Sequence, residues 1–65
     1  MRVGETELAM EVRHIAEQEE RIARQEALIE RLRVVGAPTD DALGLLRDMH
    51  SLLETMRVHV KRISN

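Results

Sequence analysis

Sixty-five residues can hold one small domain, and a helical pair of that size rarely buries enough apolar surface to offset its chain entropy without help. There is no Cys to form a disulfide, and the closely spaced Cys and His pairs of metal-stapled domains are missing, so oligomerisation is the remaining source of stability. Ten Lys and Arg against twelve Asp and Glu leave no large basic field to attract nucleic acid, and the lack of Phe, Tyr and Trp removes the stacking platforms of single-strand binders.

The opening MRVGETELAM has no apolar run of signal-peptide length, and charges scattered through the rest exclude a membrane span, so a cytoplasmic protein is expected. A first helix is predicted over 5–34. Glu5 and Glu7 suit the positive end of its dipole, and Gly4 or Thr6 supplies the cap. Leu8, Ile15, Ile22 and Ile29 recur every seven residues and define position a of a heptad. The d positions are then Glu11, Gln18, Gln25 and Leu32, which makes this seam half polar. Ala9, Ala16 and Ala23 repeat with the same period on a flank. They either let another helix approach closely or simply favour the helix.

Gly36 and Pro38 end that helix, Gly36 as the residue in the left-handed region and Pro38 as the residue that cannot resume it. A turn over 35–39 follows. Thr39 or Asp40 caps a second helix over 40–63, with Asp41 adding charge to its first turn. Here the seam is wholly apolar, with Leu46, Leu53 and Val60 at a and Met49, Met56 and Ile63 at d. Leu45 and Leu52 sit at g, widening the face beyond what a single partner helix covers. Gly44, inside this helix, is either tolerated near its start or marks close packing against the turn.

A turn this short makes the two helices antiparallel. With equal rise on both, Ile15 meets Val60, Ile22 meets Leu53 and Ile29 meets Leu46, while Gln18 meets Met56, Gln25 meets Met49 and Leu32 meets Ala42. The expected core is therefore Ile15, Ile22, Ile29, Leu32, Leu46, Met49, Leu53, Met56 and Val60. Gln18 and Gln25 either fix the register by hydrogen bonding inside the seam or reach water at its edge. On the e side Glu19 faces Arg57 and Glu26 faces His50, a solvated edge. On the g side Leu28 faces Leu45, Arg21 faces Leu52 and His14 faces His59. Three leucines in water would form an association patch, so a dimer interface is expected at Leu28, Leu45, Leu52 and His59.

No catalytic constellation, phosphate loop or ligand-sized pocket is legible, and no enzyme activity or cofactor is expected. His14 and His59, at one level with Glu11 and Glu17 nearby, are the candidates for a metal site. An interfacial His more often just hydrogen-bonds across a helix pair, and none is predicted. The alternation of Glu17, Glu20, Arg21, Arg24, Glu30 and Arg31 reads as a salt-bridged surface, with Glu17–Arg21 and Glu20–Arg24 in the favourable order.

The His-Ile-Ala-Glu segment at 14–17, Ile-Ala-Arg-Gln at 22–25, Gly36, Thr39 and the Leu45, Leu46 pair resemble a set of short alphaproteobacterial helical-hairpin proteins, a resemblance that spans about two thirds of the chain. That set carries no assigned activity to transfer. In architecture the chain is also similar to Rop-like hairpins, which pair into four-helix bundles. The resulting expectation is an all-α hairpin that dimerises into a four-helix bundle and serves protein–protein interaction or scaffolding. The alternative is a small RNA- or DNA-binding regulator of the Rop type acting through Arg13, Arg24, Arg31 and Arg33.

Overall fold

A computed structural model describes residues 6–64. Within them the chain forms two helices, α1 over Glu7–Val34 and α2 over Asp40–Ile63, packed against each other with no strand. The Gly4 alternative for the first cap, and a helix start at Glu5, lie outside the described residues. Thr6 takes the cap position with extended backbone, and its Oγ1 accepts a hydrogen bond from the Ala9 amide at 3.0 Å, satisfying one of the donors that a helix start leaves open.

The end of α1 shows why Gly36 is needed. Its φ of 74° lets the chain reverse so that the Ala37 amide donates to the Leu32 carbonyl at 2.9 Å and the Gly36 amide to the Arg33 carbonyl at 3.1 Å. This is the Schellman arrangement, which occupies carbonyls the helix would otherwise abandon. Helix α2 starts differently. Thr39 holds the cap position but its side chain makes no capping bond, so Asp40 and Asp41 in the first turn, acting on the helix dipole, are the local features that favour the start. Gly44 does not mark close packing, since a Cβ there would meet nothing within 4 Å.

Between the helices lies a thin core. Ile22, Ile29 and Leu53 are buried, whereas Ile15, Leu32, Leu46, Met49, Met56 and Val60 are only half-buried. The fourth buried residue is polar: Gln18, 2% exposed. Its Nε2 donates to the Met49 carbonyl at 3.0 Å, and its Oε1 accepts from the Arg21 guanidinium at 3.3 Å, so both ends of the amide are used. Gln25 repeats the first of these bonds one heptad on, its Nε2 donating to the Ala42 carbonyl at 2.9 Å.

Gln18 and Gln25 bond to the carbonyls of Met49 and Ala42 rather than meeting Met56 and Met49, in each case one heptad nearer the turn than equal rise suggests. Each Gln thereby has a backbone carbonyl within reach of its amide, which removes the cost of a buried polar group. The Glu19 and Arg57 pair, in contrast, forms at the expected level.

Candidate functional site

The two flanks of the hairpin differ in chemistry. On the e side Arg57 donates to Glu19 at 2.8 Å, an ion pair with both side chains about half exposed. Glu26 and His50 do not pair; Glu26 instead borders a shallow groove with Ile29, Leu43 and Leu46. Along the surface of α1, Glu20 holds Arg24 at 3.7 Å as expected. Glu17 pairs with Arg13 at 3.6 Å rather than with Arg21, whose guanidinium turns inward to Gln18. This redirection gives the buried amide oxygen of Gln18 a donor.

On the g side the leucines are only partly covered. Leu28 is half-buried, and Leu45 and Leu52 remain 52% and 51% exposed. No segment of α1 or of the turn shields them, because α1 is already committed to the a and d seam and the turn is too short to fold back. Arg21 lies on this same flank, drawn toward the seam by its bond to Gln18. A second apolar patch occurs at the end of α1, where Val34 and Val35 are 78% and 74% exposed and line an open groove with Ala27, Glu30 and Arg31. The Ala9, Ala16 and Ala23 row is exposed along its length.

At the open end of the hairpin His59 meets two acids of α1 rather than His14. Its Nε2 lies 3.6 Å from Glu7 and 3.8 Å from Glu11, and the three residues bring potential ligand atoms within 4.8 Å of one another. His14 and Glu17 are not part of this group, so the His14 and His59 site weighed from the sequence does not assemble. Glu7 was visible in the sequence as a first-turn acid, but nothing in the heptad pattern placed it against His59. The trio suits an imidazole between two carboxylates. Glu11 accounts for its polar d position by facing that imidazole, with its side chain 20% exposed. Glu7 and His59 are much more open to water, and a closed tetrahedral site needs a fourth ligand and an ordered outer shell beyond these three.

The remaining depressions are open to solvent. The one beside His59 is lined by Glu54, Thr55, Val58 and Arg62, and none of the three grooves encloses a ligand on several sides. Among the described residues no helix is long and apolar enough to cross a membrane. In comparisons with known proteins, no family model, no characterised relative and no solved structure matches the chain.

Proposed function

We propose that this chain is a protein–protein interaction or scaffolding module, built as a homodimeric four-helix bundle and without catalysis of its own. The observation that carries the reading is the pair Leu45 and Leu52, more than half exposed on one flank of a hairpin that buries three apolar side chains among the described residues. Burying each such leucine contributes about 1.5 to 3 kcal/mol, a large share of what a domain this small can accumulate.

A second copy is the simplest source of a matching apolar face, and two-fold pairing covers both copies at once.

Nucleic-acid binding through the first-helix arginines gains no support from the geometry, since Arg13 and Arg24 lie against Glu17 and Glu20 and a dimer doubles the net charge of −2. Sedimentation equilibrium with circular dichroism tests the proposal. A helical dimer at micromolar concentration is expected, and a fully helical monomer would refute it. An electrophoretic shift with structured RNA that weakens steeply with salt would replace it by the regulator reading.

A further inference from the structure

We infer that the second copy docks on the Leu28, Leu45 and Leu52 flank with both turns at the same end of the bundle, so that α1 of each copy lies against α2 of the other. The inference rests on the dimer reading above and adds its geometry.

Two hairpins meeting through one flank have two choices of two-fold axis. An axis along the helices puts the turns together and sets α1 against the partner's α2. An axis across the helices puts the turns apart and sets each helix against its own copy. The flank itself is graded: its leucines lie toward the turn, while Glu7, Glu11 and His59 cluster at the open end. With the turns together, the leucine halves meet each other and the polar open ends meet each other. With the turns apart and full overlap, the leucine half of each copy faces the charged half of the other, which leaves carboxylates and imidazole desolvated against apolar side chains. Turns-apart packing matches leucines only if the copies overlap by their turn halves, and that shortens the interface.

Charge decides between the two arrangements that match leucines. Beyond the g positions, the next row outward on each helix is c, occupied by Met10, Glu17, Arg24 and Arg31 on α1 and by Asp41, Asp48, Thr55 and Arg62 on α2. Between the levels set by the Gln18–Met49 and Glu19–Arg57 contacts, Arg24 lies about level with Asp48 and Arg31 about level with Asp41. Turns together therefore brings Arg24 opposite the partner's Asp48 and Arg31 opposite the partner's Asp41, each twice over. The half-overlapped alternative sets Arg24 against Arg24 and Asp48 against Asp48, a repulsion at its centre.

The test uses the absence of native Cys. A spin label on Val35→Cys, at the exposed end of α1 by the turn, should give an inter-label distance within about 30 Å when the turns are together, set by interhelical spacings of 8–10 Å plus the label arms. Full-overlap packing with the turns apart would place the labels about 40 Å apart or more, at 1.5 Å of rise per residue. In parallel, Asp48→Arg should weaken dimerisation about tenfold or more, and combining it with Arg24→Asp should restore most of the loss. A long distance, or a double variant no tighter than Asp48→Arg alone, overturns this arrangement while leaving the dimer reading intact. A monomer by sedimentation defeats both.

Discussion

The two flanks of this hairpin are cut from the same pair of helices, yet one is finished and the other is not. On the e side Glu19 and Arg57 meet at 2.8 Å in water, a contact that needs nothing beyond the chain. On the g side Leu45 and Leu52 stand half exposed beside a half-buried Leu28, with no element among the described residues free to cover them. Opposite charges lose little by staying hydrated, whereas apolar area left in water forgoes about 25 cal/mol per Å². Exposure is thus a resting state for one flank and an unmet demand in the other.

The strongest way to break the comparison is Leu52→Glu. A charge at the middle of the g flank should shift association by orders of magnitude and, because folding and pairing are linked, remove most of the helix signal in circular dichroism. If Leu52→Glu stays a folded dimer, the g flank is not the interface, and the exposed row of Ala9, Ala16 and Ala23 becomes the surface to examine.

Next in size is Gln18→Ala, which probes the floor beneath that flank. Gln18 is buried and spends both ends of its amide, on the Met49 carbonyl and on the guanidinium of Arg21. Its removal should cost about 2 kcal/mol, a drop of roughly 8–16 °C in Tm at fixed protein concentration for a domain of this size. Gln25→Ala, at a half-buried residue whose amide makes one hydrogen bond, should cost less. Equal effects would mean that burial is not what sets the value of these amides.

Gly44→Ala marks how far the g flank extends. The position is helical and a Cβ there meets nothing within 4 Å, so Ala should stabilise by about 1 kcal/mol in thermal melts. Gly36→Ala should do the reverse by about 1 kcal/mol although the space there is equally open, because φ is +74°. A loss at Gly44 would show that a partner packs against it and that the interface is wider than the leucine flank.

The smallest effect belongs to the finished side. Glu19→Ala should lower stability by about 0.5 kcal/mol and leave the sedimentation profile unchanged, as exposed ion pairs usually do. A change in association state with Glu19→Ala would transfer the interface to the e flank and dissolve the contrast between the two.

Local rules in the chain determined the elements. A period of seven marks the buried face of each helix, a glycine was required where the backbone had to turn left-handed, and Pro38 with the first-turn acids Asp40 and Asp41 marks where the second helix begins. The g-side leucines stood out as surplus to one seam, and the e-side Glu19 and Arg57 pair followed from heptad position alone. All of these depend on short-range geometry that a linear pattern encodes directly.

Only the tertiary structure decided which partners the long polar side chains take. Heptads repeat along the whole length, so periodicity by itself cannot choose which residues across the seam a long side chain reaches. Gln18 and Gln25 each find a backbone carbonyl one heptad nearer the turn than equal rise suggests. His59 goes to Glu7 and Glu11 instead of His14, and within α1 Arg21 goes to the buried Gln18 instead of Glu17. These partners follow from the length and direction of individual side chains across the seam, information that exists only once two helices are placed side by side.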